Sequence, residues 1–311
     1  MFSYRFMNMN MGENKDGNTD LAPNDIISPD GLNYLVTPLE MQMDMHMVGL
    51  MYAPTSKLTL MAMTSYVELS MDHQIRDSLV AMNPNIDSNL FTTESSGIGD
   101  TTIGGIYELS ERAGASWLLN FGVSLPTGDI DHEDIVPPVD ANEVSQLPFP
   151  MQIGSGTFDL LPGVTFTQLR EGTSWGAQVK GRIHLGENDN GYTRGDQYQA
   201  QIWHGWRKNE WLSLSTRLGF STRDNYDGLD ENQRLPVFNP NAGANGANTV
   251  STVDPNLRGG SQADFGLGAN LVVGERHHRV AGEISYTFWH DLDGPQLATD
   301  LSLTFGYQYV F

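Results

Sequence analysis

The chain has 311 residues, no cysteine, and 38 acidic against 17 basic side chains, for a formal net charge of −21. That balance argues against a nucleic-acid partner, which needs basic patches, and the chain has no run of 18 apolar residues that could cross a membrane as a helix. A β-barrel escapes that exclusion, because its strands alternate apolar and polar residues and average out in hydropathy.

Period-two alternation predicts about twelve strands. Phe2 to Met11 is the first, followed by a long polar loop to about residue 38. Leu39 to Ala53 is the second, with a tight turn at Pro54-Thr55-Ser56-Lys57, and Leu58 to Ser70 is the third. After a second long loop, Gly99 to Ser110 and Ser116 to Leu125 pair across a turn at Arg112-Ala113-Gly114. A third long loop, about 127 to 154, leads to Thr157 to Leu169, a turn at Glu171-Gly172, and Ser174 to Leu185. A shorter loop precedes Asp196 to Trp206, which turns at Lys208-Asn209 into Trp211 to Thr222. The longest loop, about 223 to 260, leads to Ser261 to Val273, a turn near Gly274, Arg279 to Trp289 and Leu297 to Phe311.

Loop lengths therefore segregate, short on one side and mostly long on the other. The fold expected is one all-β domain over residues 1–311: a transmembrane antiparallel up-and-down β-barrel with short periplasmic turns and long extracellular loops. The expected location is the bacterial outer membrane, with a signal peptide removed ahead of Met1. The last nine residues, LTFGYQYVF, put Leu303, Phe305, Tyr307, Tyr309 and Phe311 on one face. Such a face suits lipid and an interfacial aromatic belt. The expected partners are the bilayer, lipopolysaccharide, and the barrel-assembly machinery through this closing strand. Oligomeric state is left open.

Charge on a lipid face is costly, so polar faces must point inward. That places Arg5, Asp100, Glu108, Asp159, Lys180, Arg182, His184, Arg217, Asp264 and Glu283 in the lumen, where they can lock the barrel as ion pairs, form a constriction for solute, or do both. Methionine is concentrated near the N-terminus. Met7, Met9 and Met11 alternate in the first strand, Met41, Met43, Met45, Met47 and Met51 in the second, and Met61 and Met63 in the third. The aromatic face Phe2, Tyr4 and Phe6, and the apolar Val48, Leu50 and Tyr52, turn these methionines inward. They can fill the wall, line a path for an aromatic or apolar solute, or ligate Cu(I) or Ag(I), with His46, Met71 and His73 assisting. No cysteine or clustered histidine pattern builds a closed metal site, and no other cofactor is implied.

Three short segments carry a family resemblance. They are Gly97-Ile98-Gly99-Asp100-Thr101-Thr102-Ile103-Gly104-Gly105 with Tyr107, Phe121-Gly122-Val123-Ser124-Leu125-Pro126-Thr127-Gly128-Asp129, and Gly154-Ser155-Gly156-Thr157-Phe158-Asp159. They resemble outer-membrane proteins of the meta-pathway phenol-degradation family. The resemblance implies an outer-membrane barrel and passage of small organic compounds, and it assigns no catalytic residue. The function expected is a non-enzymatic, porin-like channel or transporter for passive passage of small solutes, with aromatic or apolar compounds as candidates. The alternatives are soft-metal transport through the methionine-lined lumen and a structural barrel with a closed lumen.

Overall fold

The computed structural model describes residues 1–84, 86–137, 144–230, 232, 248–274 and 277–311. Its barrel strands are Phe2–Gly17, Tyr34–Tyr52, Leu58–Ile75, Leu90–Ile98 continued by Thr101–Arg112, Ala115–Leu125, Phe158–Leu160 continued by Gly163–Arg170, Thr173–Leu185, Gln197–Arg207, Leu212–Arg223, Gly260–Val273 and the long run His278–Tyr309. This last run supplies two staves. Residues 278–292 pair with Gly260–Val273, and residues 292–309 pair with the first strand. The two arms also meet each other: His278 Nδ1 lies 2.7 Å from Tyr307 Oη, and His290 Nε2 lies 3.0 Å from the Thr299 carbonyl. The chain thus forms an antiparallel twelve-strand barrel. It closes because Phe2–Gly17 pairs with both the last strand and the second, Phe2 lying opposite Tyr309 and Leu50.

The expected strands are all present, but several are longer at the long-loop end. The first reaches Gly17 rather than Met11, the second begins at Tyr34, and the third runs to Ile75. Alternation stops being apolar there because both strand faces are packed or polar, so the pattern that defined the strand ends before the strand does. At the other terminus the last strand stops at Tyr309 rather than Phe311.

Side-chain facing follows the pleat. Leu50, Val179, Leu267, Tyr286 and Phe305 point outward and are 48–60% exposed, forming a continuous apolar belt. Rings gather beside the short turns, among them Tyr52, Trp117, Trp175, Trp206, Trp211 and Tyr309, all exposed on the outer face. Inside, one packed cluster joins Met41, Val67, Leu69 and Met71 to Leu147 and Met151 of the 126–157 connection. The described residues 144–153 of that connection fold into the barrel instead of standing away from it: Leu147, Phe149 and Met151 are 0–1% exposed.

Candidate functional site

Two walls face each other inside the barrel. The first is built by strands one to three. Antiparallel register aligns Met11, Met41 and Met71 in one cross-strand row, Met9, Met43 and Leu69 in the next, and Met7, Met45 and Val67 in a third. The polar outer faces Asn8/Asp44 and Tyr4/His46 are joined by hydrogen bonds of 2.6 and 2.8 Å, which fixes this register. The second wall comes from strands seven to ten. Arg182, Gln197 and Arg223 form one row, and Lys180, Gln199, Ser221 and Gln262 the next.

Between the walls lies a cavity of about 510 Å³. Met9, Met11, Met41, Met43, Met45 and Met71 line one side, and Arg182, Gln197, Gln199, Arg223 and Gln262 the other. Its roof is the infolded connection, through Phe149, Pro150, Gln152 and Ile153, together with Arg194, Tyr226 and Arg258 from neighbouring loops. Phe149 meets Tyr192 and Tyr226 edge-on, with ring centroids 4.8 and 5.1 Å apart. Arg194 Nη2 donates to the Gln152 carbonyl at 2.7 Å, and Arg223 Nε donates to the Arg258 carbonyl at 2.6 Å.

The electrostatics of the roof are one-sided. Burial pushes the Tyr192 phenol up to about 12. Burial alone would do the same to Tyr226, but the positive charges of Arg194, Arg223 and Arg258 outweigh it and hold that phenol below its ordinary pKa. Burial, and then the like charge of Arg223, lower the Arg258 guanidinium to about 10. Among the described residues no carboxylate lies within 4 Å of a side-chain nitrogen of Arg194, Arg223 or Arg258, and none lines the cavity.

The three segments that carried the family resemblance converge at the root of the infolded connection. The Asp100 carboxylate accepts from Gly128 N–H at 3.0 Å and Ser155 N–H at 2.9 Å. Thr127 Oγ1 accepts from Thr101 N–H at 2.8 Å and donates to the Gly99 carbonyl at 3.0 Å. Gly154 N–H donates to the Asp129 carbonyl at 2.8 Å. The two backbones cross so closely that a Cβ on Gly154 would overlap the Gly128 carbonyl. The motifs therefore form a clamp that turns the connection into the lumen.

This corrects the expected lumen set. Asp100 is spent on the clamp and does not form a constriction. Asp159 is fully buried, held by Thr157 Oγ1 at 2.7 Å and paired with Arg182 at 3.4 Å. His184 is buried between Asp159 and Asp196, 3.9 and 3.7 Å away. Alternation showed which face these side chains take but not that a loop would cover them.

Arg217 bridges Asp264 at 2.7 Å and Glu283 at 2.8 Å, so these three lock together across strands nine to eleven. Arg5 and Lys180 face the lumen without a carboxylate within 4 Å among the described residues, and Arg5, Arg182 and Arg217 lie within electrostatic reach of Lys180. Glu108 sits on the inner face near a short turn, away from these groups. Five of the ten expected methionines line the cavity. The other five, Met7, Met47, Met51, Met61 and Met63, continue the same inner face toward the short turns, with Met51 opposite Met61 and Met63 opposite Gly49.

Sequence reasoning missed Arg194, Arg223, Tyr226 and Arg258. They sit at strand ends and in loops, where periodicity assigns no face. The available signal was compositional: basic residues are scarce in this acidic chain, so arginines placed in its long loops stand out.

The family described as "Putative MetA-pathway of phenol degradation" matches residues 30–245. The fold is similar to that of an outer membrane channel from Pseudomonas putida F1, with a TM-score of 0.59 and 12% identity over 100% of this chain and 95% of that one. It is also similar to the transport unit of the autotransporter AIDA-I from Escherichia coli, with a TM-score of 0.52 and 11% identity over 100% of this chain and 90% of that one. No curated protein matches the chain.

Proposed function

The chain belongs to the phenol-degradation family whose match spans residues 30–245, and from that premise we propose that it is a non-enzymatic outer-membrane channel for passive passage of small solutes with an aromatic or apolar body. One observation carries the reading: a closed barrel that is apolar outside and encloses a cavity of about 510 Å³ with one methionine wall and one arginine–glutamine wall. An apolar belt flanked by rings suits a bilayer. The cavity lies within the range of small-molecule sites, and thioethers make favourable contacts with aromatic rings. In this reading the short turns and both termini face the periplasm and the long loops face outside, among lipopolysaccharide. The closing strand, Leu303 to Tyr309, is the segment presented to the assembly machinery.

The cross-strand row Met11–Met41–Met71 favours one second reading, soft-metal passage by thioether ligation. The test is conductance of the purified, refolded protein in a planar bilayer, with and without Ag(I). A steady conductance indifferent to silver supports the solute channel. Block by micromolar silver that disappears when Met41, Met43 and Met45 are replaced by Leu would transfer the reading to metal. Absence of conductance would sink the channel and leave a structural barrel with a closed lumen.

A further inference from the structure

The chemistry of the two walls specifies more than a small solute. The arginines around the cavity are forks with planar donors suited to a carboxylate. Arg182 has a carboxylate partner in Asp159, whereas Arg194, Arg223 and Arg258 have none within 4 Å among the described residues. Arg258 is only 4% exposed, and the Nε atoms of Arg194 and Arg258 are buried without a hydrogen-bond partner among the described residues. A buried, unpaired charged donor is costly and is ordinarily matched by a counter-charge. Arg194 and Arg223 are half-buried, and the acceptors that meet these three guanidinium groups are uncharged: the Gln152, Arg258 and Ser251 carbonyls and Gln296 Oε1. Three cations around one cavity, in a chain of net charge −21, thus make a local positive site with no carboxylate within 4 Å among the described residues.

The opposite wall excludes the simplest anions as the intended occupant. Six thioethers line it, and they offer an inorganic anion nothing, but they suit the face or edge of a ring. A neutral phenol has the complementary defect, because it leaves the guanidinium groups without a counter-charge. The occupant that satisfies both walls carries one carboxylate on an apolar ring.

We infer that the cavity is a binding site for aromatic carboxylates, the carboxylate held by Arg194, Arg223 and Arg258 and the ring lying against the methionine wall. Its role as a selectivity site along a path rests on the channel reading above, while its chemistry does not. Below it, Arg5 and Lys180 continue the positive lining toward the short-turn end, so an anion leaving the cavity meets further cations.

The test uses the full-length folded barrel in detergent and three probes: benzoate, benzyl alcohol (the ring without the charge) and acetate (the charge without the ring). Equilibrium dialysis should show benzoate binding at least about tenfold more tightly than either of the others, and R223Q and R258Q should each lose about tenfold or more of that affinity. Heat-shifted migration on gels checks that each variant is folded. If either variant fails that check, R194Q reports instead, since Arg194 makes its hydrogen bond to the Gln152 carbonyl through Nη2 only. Equal affinity for benzoate and benzyl alcohol, equal affinity for benzoate and acetate, or benzoate binding indifferent to the folded variants would each overturn the inference. The same protein in a planar bilayer under a KCl gradient separates this result from the channel reading. Benzoate binding without conductance would retain the site and remove the channel, and conductance without benzoate binding would do the reverse.

Discussion

The methionine wall and the arginine wall line the same cavity from opposite sides, yet they are different kinds of surface. Met41, Met71, Leu147 and Met151 form a packed hydrophobic core with scarcely any exposed area. Across the cavity, Gln197, Gln199 and Lys180 face open space. A barrel interior is therefore not one environment. A loop folded against one side turns that side into a core, and the other side remains a lining. The infolded connection accounts for the methionines beside it, Met11, Met41, Met43, Met45 and Met71. An unbranched, flexible thioether can fill the irregular space between a pleated wall and a loop built from a short strand pair, Glu133–Ile135 with Val144–Gln146, and a 3-10 turn at Phe149–Met151.

The sharpest way to break the comparison is to make the same truncation on both walls. Met71→Ala removes a side chain that is 1% exposed and should cost about 2–5 kcal/mol, as for large-to-small changes in a core. Gln199→Ala, on the facing wall, should stay within about 0.5 kcal/mol, as for other changes at open positions. Urea unfolding of the refolded protein measures both. Equal losses would show that the two walls are packed alike.

Releasing the loop should dissolve the difference between the walls. Asp100→Ala removes the acceptor that holds Gly128 N–H and Ser155 N–H, two charge-assisted hydrogen bonds each worth about 1.5–3 kcal/mol, less where water can replace them. With the clamp open, the 126–157 connection should leave the methionine wall, and single-channel conductance should rise. An unchanged conductance in a folded Asp100→Ala barrel would mean that the infolded connection does not limit flow. Arg217→Gln acts on the other wall and more weakly. It leaves Asp264 and Glu283 facing each other without their cation, at a cost of about 1–2 kcal/mol once partial exposure is allowed for. It also makes the lumen more negative, so the reversal potential in a KCl gradient should move toward potassium.

Much of this architecture was legible in the sequence, because a barrel strand writes its two environments into alternate positions. Val48, Leu50 and Tyr52 against Met47 and Met51 fixed the inner face of the second strand, and Trp175, Val179 and Leu185 against Lys180 and Arg182 fixed that of the seventh. The cavity was not legible. Leu147, Phe149 and Met151 do alternate, but Pro148 and Pro150 between them lack the backbone N–H a strand ladder needs, so the stretch reads as a loop and assigns no face. The residues that cause the turn were visible only as family marks. Asp100 read as one more lumen carboxylate because its partners are backbone N–H groups far along the chain, and a backbone donor leaves no trace in residue type.

The smallest effect is the most specific to the arginine side. Tyr192, buried, and Tyr226, half-buried, are parallel rings 6.1 Å apart, yet their pKa values are displaced in opposite directions. The difference is the field of Arg194, Arg223 and Arg258, which acts on Tyr226 strongly enough to reverse the effect of burial. The sign is definite: a pKa held below the ordinary phenol value means that Tyr226 gains its negative charge earlier as pH rises, while Tyr192, pushed up to about 12, gains it late. Alkaline difference spectra of the folded protein against Y226F should therefore contain one phenolate that appears before the ordinary tyrosine range. Saturating benzoate should delay it, because a carboxylate among the same arginines cancels the field that lowers the phenol. If Tyr226 titrates with the bulk of the tyrosines, the three arginines do not act together on the roof of the cavity. If it titrates early but benzoate leaves it unmoved, the field is present and its occupant is something other than an aromatic carboxylate.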